Sequence, residues 1–219
     1  MEPRGPRLKP AKVIPNTEEW FNDKEFTTDW LSPKLGPWFS VLEPLRNKPV
    51  DVLDVGSYEG RSAIAFLSYL PLSRVTCVDT FDLPGIGTHI DDTNAVESRF
   101  DRNVAAYGQR LTKIKDRAAN ALDRLGVKKA KYDVIYLDAG KGRDWLFTLS
   151  ALAWPLLRTG GILIWDDLRW GRDKPGHLRP GEGIRLFCAT FSDCLDILHE
   201  DRQMIARKTA DWPDAGDRK

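Results

Sequence analysis

Between Pro49 and Lys208, short apolar and β-branched runs alternate with longer stretches whose apolar residues recur at helical spacing. Asp51-Val52-Leu53-Asp54-Val55 reads as a first strand closed by Gly56, and residues 61–70 as the helix after it. Arg74-Val75-Thr76-Cys77-Val78-Asp79 reads as a second strand, followed by a long loop that holds Pro84, Gly85, Gly87 and Asp91-Asp92. Residues 95–107 are expected as a helix stopped by Gly108, 111–115 as a third strand and 118–125 as a third helix. Tyr132 to Asp138 gives a fourth strand. A helix is expected over 144–157, ended by Gly160-Gly161, with Ile162 to Asp166 as a fifth strand. After a helix over 183–191 the rhythm breaks. Two short runs, 195–198 and 204–207, flank Glu200-Asp201 and read as a hairpin.

Strands alternating with helices of this length imply right-handed crossovers and a mainly parallel sheet, whose strands are apolar because both faces are covered. The expected fold is α/β, Rossmann-like and doubly wound in three αβα layers, finished by a C-terminal antiparallel hairpin. Ahead of this domain, residues 1–16 read as a flexible arm with four prolines and four basic residues, and residues 17–48 as an aromatic helical cap. Residues 209–219 read as a polar, frayed tail.

Composition narrows the function classes. Lys plus Arg number 33 and Asp plus Glu 32, a net charge of +1, so charge gives no argument for a nucleic-acid or membrane partner. No apolar stretch has the length of a signal peptide or a membrane span. Cys77, Cys188 and Cys194 form no CxxC pair and no metal spacing. Sparse thiols suit a reducing, cytoplasmic setting.

Ligands of open parallel sheets bind beyond the carboxyl ends of the strands. After the first strand comes Gly56-Ser57-Tyr58-Glu59-Gly60-Arg61-Ser62, and the second ends on Asp79, a carboxylate suited to a ribose diol. The loop spacing is GxxxG, whereas a dinucleotide site favours GxGxxG to make room for a pyrophosphate. S-adenosylmethionine has no phosphate and carries a cationic sulfonium and an amino-acid end. The plainer alternative is that Gly56 and Gly60 are packing glycines of an α/β turn.

Residues 52–62 resemble the first motif of class I S-adenosylmethionine-dependent methyltransferases, and 74–82, ending Val78-Asp79-Thr80-Phe81-Asp82, resemble the second. Residues 132–138 and 156–167, with the turn Leu157-Arg158-Thr159-Gly160-Gly161, are similar to the later motifs. The resemblance covers about residues 30–208 and is nearest to small O-methyltransferases of the methyltransferase-24 type, more distantly to catechol and macrocin O-methyltransferases. It implies that Gly56, Ser57, Tyr58, Gly60 and Ser62 contact the methionine part of the cofactor. It implies that Asp79 holds the ribose, that Thr80 and Phe81 flank the adenine, and that Asp116, Arg117 and Ala118 lie against the base. Asp138 is expected at the cofactor's reactive end.

The fourth strand ends at Asp138 and the fifth at Asp166-Asp167, so the alternation places three carboxylates at one sheet edge. Such a cluster needs a cation or raised pKa values, and oxygen ligands without Cys or His favour Mg²⁺. The trio is similar to the metal site of the catechol and macrocin enzymes. In the catechol type a lysine at the place of Lys141 is the general base, and the resemblance carries that role to Lys141 beside Asp138. Many methyltransferase-24 relatives read Asp-Gly-Ser-His here, whereas this chain reads Asp138-Ala139-Gly140-Lys141. His89 and His177 are the fallback bases. On the plainer reading, Asp166-Asp167 is a solvated strand end or turn cap and Lys141 a surface charge.

Between Trp20 and Phe39 stand six aromatics, which read as a lid, a homodimer contact or a pin for the N-terminal helices. The pin is preferred for Trp38 and Phe39. Trp170 is placed to line an acceptor pocket, and residues 83–93 read as a lid. The leading function is therefore methyl transfer from S-adenosylmethionine to a hydroxyl of a small molecule, assisted by Mg²⁺. The alternatives are an NAD(P)-dependent oxidoreductase and a non-catalytic S-adenosylmethionine-binding module. No Asn/Asp-Pro-Pro-Tyr stretch of the kind that grips a flipped base is present.

Overall fold

The structure is a computed structural model that describes residues 14–82 and 95–212. The seven strands are β1 (Val50–Val55), β2 (Ser73–Asp79), β3 (Leu111–Lys115), β4 (Tyr132–Leu137), β5 (Leu157–Trp165), β6 (Leu195–Glu200) and β7 (Met204–Lys208). They form a sheet in the order β3-β2-β1-β4-β5-β7-β6, flanked by helices. The helices are α1 (Gly36–Leu42), α2 (Arg61–Tyr69), α3 (Val96–Val104), α4 (Ala118–Val127), α5 (Arg143–Ala153) and α6 (Pro180–Thr190). This is the α/β fold with a C-terminal antiparallel hairpin that the alternation predicts. The chain divides into two compact units at Ala121/Leu122, within α4.

In the first unit β1, β2 and β3 are parallel, with Val55 opposite Val78 and Asp79 opposite Lys115. Val52, Leu53 and Val55 are fully buried, as a strand covered on both faces requires. The residues ahead of β1 form short 3-10 turns, Glu18–Trp20, Ser32–Lys34 and Glu43–Leu45, around the two-turn α1. They are less helical than expected, because Pro33, Pro37 and Pro44 each start a new short turn and remove a donor that a longer helix would need. Trp38 lies face to face with Phe66 of α2 at 4.5 Å, so Trp38 does pin the N-terminal segment to the domain. The helix expected through Tyr107 stops at Val104 and tightens into a 3-10 stretch, Ala105–Arg110, kinked at Gly108 (φ +52°). Residues 83–93, read from sequence as a lid, and His89 within them lie outside the described residues.

In the second unit β4 and β5 are parallel, β5 pairs antiparallel with β7, and β7 with β6. The helix expected over 144–157 is shorter than that. α5 ends at Ala153, and β5 begins at Leu157 and runs through Gly160-Gly161. Pro155 breaks the helix in a Trp154–Leu156 turn. The glycines are not a helix stop but a bulge, marked by the register jump between Tyr132↔Leu157 and Val134↔Ile162. A Cβ on Gly161 would stand 2.8 Å from the Arg158 carbonyl oxygen and 2.9 Å from that of Asp133, which only glycine avoids. The described part of the expected tail is attached. The Thr209 N–H donates to the Cys194 carbonyl at 2.8 Å, and the Trp212 ring lies 4.4 Å from that of Phe191. Among the described residues no helix is long and apolar enough to cross a membrane.

Candidate active site

The first unit places the glycine loop and Asp79 together. Gly56, Tyr58 and Gly60 all hold left-handed backbone, φ +96°, +46° and +88°, so the chain folds tightly between β1 and α2. The fold turns the Tyr58 N–H onto Asp79 Oδ2 at 2.8 Å, while the Phe81 N–H donates to Asp79 Oδ1 at 2.7 Å. The Asp116 N–H donates to the Asp79 carbonyl at 3.0 Å, which brings the start of the 116–118 segment to the same strand end. Burial pushes the Asp79 carboxyl above its usual range, and the backbone N–H groups of Tyr58 and Phe81 pull it back. One carboxylate thus ties two loops.

The other predicted donor-side residues fall nearby with distinct tasks. The Ser62 hydroxyl donates to Asp54 Oδ2 at 2.8 Å and that of Ser57 to the Asp54 carbonyl at 3.0 Å. Both serines therefore brace the loop from beneath. Thr80 closes a turn onto the Asp82 carbonyl at 3.2 Å, and Phe81, at φ +54°, lays its buried ring 4.8 Å from Phe100. The Arg117 N–H caps Asp116 Oδ1 at 2.7 Å, with the Arg117 side chain exposed and Ala118 half-buried.

Sequence reasoning missed the brace of this loop. Glu59 is buried; its Oε2 accepts the Thr27 N–H at 2.7 Å, and its Oε1 accepts from Thr27 Oγ1 at 3.0 Å and Arg99 at 3.1 Å. Asn103 Nδ2 donates to the carbonyls of Glu59 (2.9 Å) and Glu25 (2.8 Å). Trp30 stacks on Tyr58 at 5.7 Å, and the Arg61 guanidinium sits over Phe21 and Phe26 while pairing with Asp29. Residues 21–30 thus clasp the donor loop. The only hint in the sequence is a charged residue, Glu59, inside a glycine loop.

Gly60 is the tightest point. A Cβ there would meet Val104 Cγ1 at 2.9 Å on top of a strained φ. Gly60→Ala is expected to lower stability by about 1–3 kcal/mol, read as a lower urea midpoint at unchanged slope; an unchanged midpoint would mean that α3 yields freely.

The second unit gathers Asp138, Lys141, Asp166 and Asp167. Left-handed Gly140 and Gly142, φ +74° and +122°, turn the chain after β4 so that Lys141 doubles back. Its Nζ ion-pairs with Asp167 and stands 3.5 Å from Asp138 Oδ1 and 5.8 Å from the Trp170 ring centroid. Asp167 holds φ +60°, stabilised by its N–H donating to Asp166 Oδ1 at 2.7 Å and by the Trp170 N–H returning to its carbonyl. Tyr136, a residue the sequence reading passed over, puts its hydroxyl 2.6 Å from Asp166 Oδ2 and 3.1 Å from Asp138 Oδ2. His177 sits exposed in the Gly176–Leu178 turn, and no contact joins it to the carboxylates among those described.

The expected ion needs testing against these contacts. Among the described residues no three of His, Cys, Asp and Glu are arranged to hold a metal. The Lys141 ammonium meets the charge of Asp167 and Asp138 instead. The donor chemistry still fits a hard divalent ion, since the three groups offer only carboxylate oxygen, and Asp138 and Asp167 remain partly exposed. An ion held by these carboxylates would have to displace Lys141 from Asp167.

No curated protein matches the chain. Among solved structures, the MycE methyltransferase from the mycinamycin biosynthetic pathway, in complex with Mg and SAH, superposes with a TM-score of 0.62 at 19% identity, over 91% of this chain and 55% of that one. The chain thus spans about half the length of that relative. The SAH-bound methyltransferase PaMTH1 of Podospora anserina gives 0.61 at 20% identity, over 90% and 89%. The O-methyltransferase NovP gives 0.55 at 17%, over 78% and 81%. At such identities the likeness shows the fold. The family model described as a methyltransferase domain, of the methyltransferase-24 type, matches residues 53–168, which run from β1 through Asp79 and Asp138 to just past Asp167. With more than half its length matched in this way, and with the glycine loop tied to Asp79, the chain belongs to the methyltransferase-24 family of class I S-adenosylmethionine-dependent methyltransferases.

Proposed function

We propose that the chain transfers the methyl group of S-adenosylmethionine to a hydroxyl of a small molecule, with a divalent ion such as Mg²⁺ at Asp138, Asp166 and Asp167. The observation that carries the oxygen preference is the cluster of Lys141 with Asp138 and Asp167, a base-capable amine among hard oxygen donors. In this reading Asp79 receives the ribose hydroxyls, and the Gly56–Gly60 loop receives the methionine end. Bound at the carboxylates, the ion supplies Lewis acidity that lowers the pKa of an acceptor hydroxyl. Lys141, released from Asp167 and having passed its ammonium proton to solvent, would act as the neutral amine that takes the hydroxyl proton at Nζ, and Trp170 would line the acceptor side. The acceptor oxygen forms its bond to the methyl carbon as the carbon–sulfur bond breaks, and sulfur keeps the electron pair as neutral S-adenosylhomocysteine. Family membership sets aside the dinucleotide alternative.

Calorimetry with S-adenosylmethionine, followed by transfer of a labelled methyl group to a panel of catechols and sugars with and without Mg²⁺, tests the reading. The expected result is donor binding with or without the ion and transfer that Mg²⁺ enhances. No donor binding overturns the whole proposal. Donor binding without transfer to any hydroxylated compound favours the non-catalytic module.

A further inference from the structure

Glu59 is a buried charge inside the Gly56–Gly60 loop, and methyl transfer as drawn gives it no task. A buried ion pair is seldom a better source of stability than apolar packing, so its use is sought in the geometry it fixes. That geometry ends on Tyr58. Its backbone is left-handed at φ +46° without the freedom of glycine, a conformation that persists only where the surroundings impose it. The Tyr58 N–H donates to Asp79 Oδ2 at 2.8 Å, its ring stacks on Trp30 at 5.7 Å, and its hydroxyl lies 2.8 Å from Thr27 Oγ1. Glu59 sets the direction of that last bond. A carboxylate only accepts, so Thr27 gives its hydroxyl proton to Glu59 Oε1 at 3.0 Å, and the Tyr58 hydroxyl donates to Thr27. The Thr27 N–H on Oε2 at 2.7 Å and the Arg99 guanidinium on Oε1 at 3.1 Å keep the carboxylate from turning. Glu59 thus grips its own neighbour in the loop by way of Thr27, and the same neighbour holds Asp79.

We propose that Glu59 is a positioning residue for the methyl donor: through the Thr27 hydroxyl it holds Tyr58, and with it the N–H on Asp79, in the shape that receives S-adenosylmethionine. The inference rests on the reading that Asp79 and this loop receive the donor, and it needs no ion beyond β4 and β5. Thr27 separates this route from general packing, because it is exposed and changes there disturb little. Thr27→Val removes the hydroxyl but keeps the backbone N–H and the shape of the side chain. Thr27→Ser keeps the hydroxyl and so serves as the rescue.

The test is calorimetry with S-adenosylhomocysteine on the full-length protein, beside urea unfolding without ligand. Thr27→Val is expected to weaken binding at least about fivefold, while Thr27→Ser stays within about twofold of the unaltered protein, both at an unchanged urea midpoint. Glu59→Gln, whose NH₂ group must face a donor, is expected to weaken binding at least about tenfold. Should the glutamine variant fail to fold, the two Thr27 variants decide alone. Valine and serine variants that bind alike overturn the proposal and leave Glu59 a purely structural charge. A weaker valine variant with a lowered urea midpoint overturns it as well, since general loosening then accounts for the loss. If the unaltered protein binds no S-adenosylhomocysteine, the donor site itself fails, and the proposal falls with it.

Discussion

Asp79→Ala is expected to lower the affinity for S-adenosylhomocysteine at least about a hundredfold, because hydrogen bonds to a charged group contribute about 1.5–3 kcal/mol each and a ribose diol makes two. The side chain does more than meet a ligand. It holds the N–H groups of Tyr58 and Phe81, each on left-handed backbone that the loops would otherwise relax. Truncation therefore removes the acceptor for the diol and loosens the two loops that flank it. Asp79→Asn should rescue little. Its amide offers one oxygen where two donors converge, so one N–H would face an NH₂ group. Burial holds the Asp79 carboxyl above its usual range, so acidification should weaken donor binding sooner than an exposed aspartate would allow. Calorimetry with S-adenosylhomocysteine reads both effects. An alanine variant that binds within a few-fold of the unaltered protein would remove Asp79 from the donor site.

The parts of the molecule that repeat a local rule were legible in the sequence. The strands from β1 to β4 and both members of the C-terminal hairpin follow from short apolar runs between turn residues. The strand-end rule then located Gly56, Asp79, Asp138 and Asp166. β5 was misjudged at its start because Gly160-Gly161 serves helix stops and strand bulges equally well. What decides between them is the approach of the Asp133 carbonyl to Gly161, from a strand 28 positions earlier in the chain (161 − 133).

The brace under the donor loop was illegible for the same reason. Glu59 meets Thr27 and Arg99 across separations of 32 and 40 residues, and no periodicity encodes such a meeting. Tyr136 reads as one more apolar strand residue, since nothing in the pattern Tyr132 to Leu137 says that its hydroxyl reaches two carboxylates. Lys141 was placed by resemblance alone; its seat on Asp167 depends on the left-handed glycines either side of it. Local alternation is a property of neighbours in sequence, whereas charge pairing in a site is a property of neighbours in space.

Asp54 should make stability depend on pH in a sense opposite to that of most aspartates. It is fully buried in β1, and its Oδ1 has no hydrogen-bond partner. Burial pushes its carboxyl from 3.8 to about 7, against the stabilising hydroxyls of Ser62 and Ser57 and with a further push from the charge of Asp79. Cys77, beside it on β2, is itself held as the neutral thiol by burial. Because the folded pKa lies above the unfolded one, the folded state binds the proton more tightly. Stability from this group is therefore greatest in acid and declines as pH rises toward 7, beyond which the change is complete. Asparagine at this place cannot ionise, and its amide leaves one buried donor without a partner, a cost of about 1–3 kcal/mol. Asp54→Asn should therefore be less stable than the unaltered protein at about pH 5, and should gain on it by about 3 kcal/mol by about pH 8.5, at about 1.4 kcal/mol per pH unit over roughly two units. Urea unfolding of both proteins without ligand at the two pH values measures the difference directly. If the gap between them is the same at both, Asp54 holds no proton at neutral pH, and its buried carboxylate is satisfied by a partner yet to be found.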